Sequence, residues 1–204
     1  MGEAGASDAA GDRHEDDHLL LRIASGEQAA LARVIERHGR GLRLFAARLL
    51  GGMNDAEDVV QDVFVAVWKN AARFDPAKGR AATWLYRIAA NRCIDIRRRR
   101  SFRAFLGLDA MPDETAVEEP GAERLVGARQ ELALVRSGLM DLPERQRMAL
   151  LLRSIADMDV AEIAAVMGTS VGSAEQLLVR GRRALRDHMA SAQNENQKRP
   201  GSVS

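Results

Sequence analysis

Three groups of residues have the types and spacing for chemistry. Glu57, Asp58, Gln61 and Asp62 stand at i, i+1, i+4 and i+5 of a stretch with helical periodicity, so they share one face, opposite Val59, Val60, Val63 and Val67. An acidic face of this kind either keeps a helix solvated or docks a basic partner. No histidine lies nearby to turn the carboxylates into an acid–base or metal pair. The second group is basic. Between Trp84 and Arg103 there are seven arginines, at 87, 92, 97, 98, 99, 100 and 103, against the single Asp95. Ala104 to Glu123 then holds six acids and no Lys or Arg. The first segment suits a polyanion and the second repels one.

The third group is the run from Val160 to Val171, which has the form of a helix-turn-helix. Small Ala164 allows close helix approach, and Gly168 permits positive φ at the turn. Ile163, Val171 and Leu178 are predicted to face a shared core. Its second helix either packs as half of an ordinary helical hairpin or lies in a DNA major groove with its N-terminal residues on base edges. Arg180, Arg182, Arg183 and Arg186 favour the DNA reading, because phosphate neutralisation drives nucleic-acid affinity.

Five of the eight aromatics, Phe64, Trp68, Phe74, Trp84 and Tyr86, fall within 23 residues, where the arginine-rich helix begins. Rings beside a basic surface can stack unpaired bases, or they can simply fill a small helical core. The spacing puts Phe64 and Trp68 on the buried stripe and leaves Trp84 open to either role.

The elements that must position these groups are helices. The chain has 204 residues, 46% of them hydrophobic, enough for one ordinary domain or two small ones. Its longest apolar run, Val63 to Trp68, is six residues, against the roughly 20 needed to span a bilayer. One cysteine, Cys93, excludes an internal disulfide framework and fits a small core residue in a reducing compartment. The N-terminal residues carry acids where a signal or transit peptide needs bases, so the chain is expected to stay in the cytoplasm. With no nucleophile, metal cluster or phosphate loop in view, no catalytic residue, metal or cofactor is expected, and the protein is not read as an enzyme.

The predicted class is all-α: two small helical domains joined by a flexible acidic linker. Helix is expected from about Asp17 to Leu50 with a break near Ser25 and Gly26. It resumes from Asn54, as a cap reciprocated by Glu57, to about Ala72, and again from Ala82 to Arg100. Phe74 to Gly79 is a turn-rich loop. After the linker, helix is expected from about Arg124 to Met140 and from Pro143 to Ile155. A short helix capped by Asp159 and Glu162 follows, then a last one capped by Ser170. The boundaries are a disordered acidic N-terminus over 1–17, a first domain over 18–100, a linker over 101–122, a second domain over 123–189 and a disordered tail over 190–204.

These residues resemble a known family. Asp55-Ala56-Glu57-Asp58-Val59-Val60-Gln61-Asp62-Val63-Phe64 and Arg73-Phe74-Asp75-Pro76, followed by Trp84-Leu85-Tyr86-Arg87-Ile88-Ala89 with Asn91, Asp95 and the arginine run, are similar to region 2 of the extracytoplasmic-function sigma factors. Those are the small two-domain members of the bacterial sigma-70 family. Asp141-Leu142-Pro143-Glu144-Arg145-Gln146-Arg147 with the helix-turn-helix resembles their region 4.

The resemblance implies a protein that binds core RNA polymerase through Asp58, Gln61 and Asp62. It implies capture of the melted −10 strand through Asp75, Lys78, Arg80, Thr83, Trp84, Arg87 and Asn91. Duplex −35 DNA would be read through Ser170, Ser173, Glu175, Gln176, Arg180, Arg182 and Arg183. An anti-sigma factor, often membrane-anchored and able to hold the protein at the inner membrane face, is the further expected partner, and no small-molecule substrate is. Two departures bear on this. Glu175, Gln176 and Leu177 stand where many relatives have a base, a serine and an arginine, and Ala81 stands where the loop often has an aromatic. Glu175 and Leu177 motivate one alternative, a sigma-like decoy that sequesters an anti-sigma factor without reading promoters.

Overall fold

The computed structural model describes residues 15–106 and 126–197. Most of the expected acidic N-terminus, most of the linker and the last residues of the tail lie outside the described residues.

Helix α1 covers residues 15–24, and a turn at Gly26 leads into α2 (Gln28–Leu50). Gly51 ends α2 in the left-handed conformation, φ 85°, with its N–H returned to the Ala47 carbonyl. Helix α3 (Asn54–Asn70) buries Ala56, Val59, Val63 and Val67. Three of these are β-branched and weak helix formers, so burial against α2, more than intrinsic propensity, holds α3. Two 3₁₀ turns, Ala71–Arg73 and Pro76–Lys78, lead to α4 (Ala81–Phe105), which buries Leu85, Ala89 and Cys93 at helical spacing. Where α2 and α4 cross, a Cβ on Gly41 would lie 2.6 Å from Tyr86 Oη, so only glycine lets Tyr86 reach Phe45 in an edge contact, centroids 5.4 Å apart.

The second module comprises α5 (Val126–Asp141), α6 (Glu144–Ile155), α7 (Val160–Met167) and α8 (Val171–Gln197). The capping box is present: Glu162 N–H donates to Asp159 Oδ1 at 2.9 Å, and Asp159 N–H donates to Glu162 Oε2 at 2.9 Å. Gly168 closes α7 at φ 59°, and Ser173 N–H donates to Ser170 Oγ at the start of α8. The two modules pack on each other, α7 on α4 and both α5 and α6 on α2, with buried residues of both in one continuous core.

Several local expectations need correction. Asp16, assigned to a disordered terminus, lies in α1, together with Asp17 at the expected helix start. Asp16 pairs with Arg37 and His38, and Asp17 Oδ1 accepts the Ala81 N–H at 2.8 Å. Met53, not Asn54, takes the cap position of α3, and Pro143 caps α6 instead of entering it. Helix α4 runs five residues past Arg100 into the expected linker, and α8 continues through the first part of the expected tail to Gln197. Trp68 and Val171, both expected inside, are 40% and 47% exposed.

Candidate nucleic-acid interface

On α3, Asp58 and Gln61 are exposed, while Asp62 is half-buried and paired with Arg92 of α4 at 2.7 Å. Glu57 pairs with Arg43 at 3.1 Å, and Asp55 with Arg100. The acidic face is thus partly neutralised at its edges by α2 and α4. It also continues: Asp58, Gln61, Val65 and Trp68 form one exposed stripe at helical spacing, whose apolar end was not anticipated. The valine repeat marks the opposite face, and spacing alone places Trp68 beside it.

In the loop before α4, Asp75 builds the turn. Its Oδ1 accepts the Ala77 N–H at 3.0 Å and its Oδ2 pairs with Lys78 Nζ at 2.9 Å. The Lys78 bond, with help from the Ala77 N–H, holds the Asp75 carboxyl below the usual aspartate range. Gly79 at φ 154° then lets the chain turn into α4. From there Arg80, Trp84, Arg87 and Asn91 recur at i, i+4, i+7 and i+11 on one face. Trp84 is half-buried against Phe74, ring centroids 5.8 Å apart, and Arg87 and Asn91 are exposed. Thr83 differs: it is 7% exposed and lies beneath α7, its Oγ1 within 3.5 Å of Glu162 Oε1.

On α8, Ala174, Leu178 and Gly181 turn inward, and Ser173, Gln176, Arg180 and Arg183 form an exposed stripe. Ser170, Glu175 and Arg182 are exposed beside it. Leu177, one of the three departing residues in this helix, packs against the core and is no part of the outward face. The arrangement offers hydroxyl, amide, carboxylate and guanidinium groups near the start of a capped helix, the donor and acceptor set for base edges and phosphates. Among the described residues no group of His, Cys, Asp or Glu could hold a metal ion, and no helix is long and apolar enough to cross a membrane.

The family profile Sigma-70 region 2 matches residues 34–103, and that of Sigma-70, region 4 matches residues 132–185. The chain is 38% identical over 181 residues to the RNA polymerase sigma factor NccH of Alcaligenes xylosoxydans xylosoxydans, covering 87% of this chain and 96% of that one. It is 31% identical over 178 residues to the ECF RNA polymerase sigma factor SigE of Mycolicibacterium smegmatis, covering 84% and 67%. The chain belongs to the ECF sigma factors of the sigma-70 family. A solved structure of CnrH in complex with the cytosolic domain of CnrY matches this sigma factor with a TM-score of 0.65 and 33% identity, over 87% of this chain and 98% of that one. As a sigma factor, the protein is a transcription regulator that works with core RNA polymerase at promoters.

Proposed function

We propose that this sigma factor docks on a basic surface of core polymerase through Asp58, Gln61 and Asp62. The melted −10 strand is held by Lys78, Arg80, Thr83, Trp84, Arg87 and Asn91, with Asp75 shaping their loop. Duplex −35 DNA is read by Ser170, Ser173, Glu175, Gln176, Arg180, Arg182 and Arg183. The observation that carries this reading is the α8 stripe, whose inward residues seal the helix-turn-helix while Ser173, Gln176, Arg180 and Arg183 face outward. An intracellular anti-sigma factor, anchored at the membrane or free, is the regulatory partner. CnrH, a relative 41% identical over 174 residues, has been solved with the cytosolic domain of CnrY, which supports that assignment.

Run-off transcription with purified core polymerase tests the proposal. The wild-type chain should initiate at a cognate promoter, Asp58→Lys should lose co-migration with core polymerase, and Arg180→Ala should retain it while initiating poorly. A chain that binds an anti-sigma factor tightly yet initiates nowhere would establish the decoy instead.

A further inference from the structure

Glu162 has two oxygens and uses them in opposite directions. Oε2 closes the capping box of α7 by accepting the Asp159 N–H. Oε1 points into the seam between the modules, where Arg80 Nη1 donates to it at 2.5 Å and Thr83 Oγ1 lies within 3.5 Å. The Glu162 side chain is only 13% exposed, so the pair is shielded from solvent on the acid's side. A guanidinium and a hydroxyl converging on one anionic oxygen are also the donors that grip a phosphodiester oxygen. Arg80 leads the face that continues through Trp84, Arg87 and Asn91.

Other polar contacts hold the same closed arrangement. Arg147 Nη1 donates to the Leu49 carbonyl at 3.1 Å, Arg136 Nη2 reaches the Gly51 carbonyl at 3.5 Å, and Arg97 pairs with Glu144 at 3.6 Å. These three fasten α5 and α6 to the end of α2 and to α4, and Glu162 fastens α7 at the point where the first module would receive single-stranded DNA.

We infer that Glu162 is an intramolecular mimic of a DNA phosphate, occupying an Arg80–Thr83 phosphate subsite and keeping the −10 face closed until strand or polymerase opens it. This rests on the assignment of Arg80 and Thr83 to the −10 strand made above. The strand binds only the open form, so its apparent affinity falls with the closed population, and by linkage a bound strand must open the chain.

Glu162→Gln isolates the effect, because glutamine can still serve at the third position of a capping box while the charge facing Arg80 is lost. The measurements are fluorescence anisotropy of a short labelled single-stranded DNA of mixed sequence and small-angle X-ray scattering, both on the full chain. Glu162→Gln should bind the DNA roughly three- to tenfold more tightly than wild type, the range expected for loss of a partly exposed charged hydrogen bond. It should also scatter as a more extended particle. Saturating DNA should expand the wild-type chain, a readout that needs no variant. Added to Glu162→Gln, where the closing contact is already lost, Arg80→Ala should weaken DNA binding, which checks the underlying assignment. If adding Arg80→Ala weakens binding but Glu162→Gln by itself leaves affinity and dimensions unchanged, the phosphate-mimic inference falls and the strand assignment stands. If adding Arg80→Ala leaves the affinity of Glu162→Gln unaltered, the strand assignment itself fails and takes the inference with it.

Discussion

Arg147 of α6 donates from Nη1 to the carbonyl oxygen of Leu49, 98 residues earlier, at 3.1 Å. Its Nη2 donates to the carbonyls of Met140 and Leu142 at 2.8 and 3.2 Å, so one guanidinium fastens the end of α5 and the turn into α6 to the C-terminal end of α2. The side chain is 4% exposed, and burial together with the nearby Arg97 charge lowers its pKa. A helix C-terminus carries partial negative charge, which favours the cation at Leu49. Arg147→Ala leaves three carbonyls short of a donor and should lower stability by about 2–3 kcal/mol. Arg147→Lys should recover only part of this, since an ammonium cannot span the same carbonyls in one plane. Urea unfolding of the two variants measures both, and a change within about 0.5 kcal/mol for Arg147→Ala would refute the role.

Asp17 is a cap supplied from a distance. Arg80, the residue at the N-cap of α4, makes no side-chain cap, and the Ala81 N–H is taken by Asp17 Oδ1 of α1 at 2.8 Å. Asp17→Ala should cost about 1 kcal/mol, and Asp17→Asn less, because an amide oxygen can still accept. Since Ala81 follows Arg80 directly, Asp17→Ala should also speed hydrogen exchange in the first turn of α4. Unchanged protection there would argue against the cap.

Asp16 gives the fold an acid limit. Burial raises its pKa, but the His38 hydrogen bond and charge and the Arg37 ion pair at 2.6 Å outweigh that, and the net shift is below the ordinary 3.8. A carboxylate with a depressed folded-state pKa contributes stability that is fully present above its unfolded pKa and is lost as pH falls through the folded value. Stability should therefore decline below about pH 4 with a component that Asp16→Asn abolishes. Parallel declines for wild type and Asp16→Asn in thermal melts from neutral to acid pH would show that the pair contributes nothing.

The local features were legible because they depend on a few neighbouring residues. The Asp159–Glu162 capping box, the left-handed Gly168, the Ser170 cap and the valine stripe of α3 all follow from spacing alone. Trp68 and Val171 were misplaced for the converse reason. Helical spacing says which residues share a face but not which end of that face another helix covers, and both lie where cover ends. Arg80 and Glu162 are 82 residues apart, and Asp17 and Ala81 are 64 apart. No periodicity links such pairs, and charge sorting treated Asp17 as part of an acidic tail. The burial of Thr83 beneath α7 depends on a contact between modules that neither module encodes alone.

Cys93 is fully buried, and its environment pushes the thiol pKa up to about 12, mainly by burial and also through the Glu144 carboxylate. A thiol held protonated near neutral pH is a poor nucleophile, so the native chain should resist a thiol-reactive dye and consume one equivalent only after unfolding. The reaction also reports on the seam, because Glu144 belongs to the second module and pairs with Arg97, one turn along α4 from Cys93. If opening the modules exposes this part of α4, Glu162→Gln should label faster than wild type while its urea midpoint stays close to the wild-type value. Equal labelling rates would mean that the environment of Cys93 belongs to the first module alone.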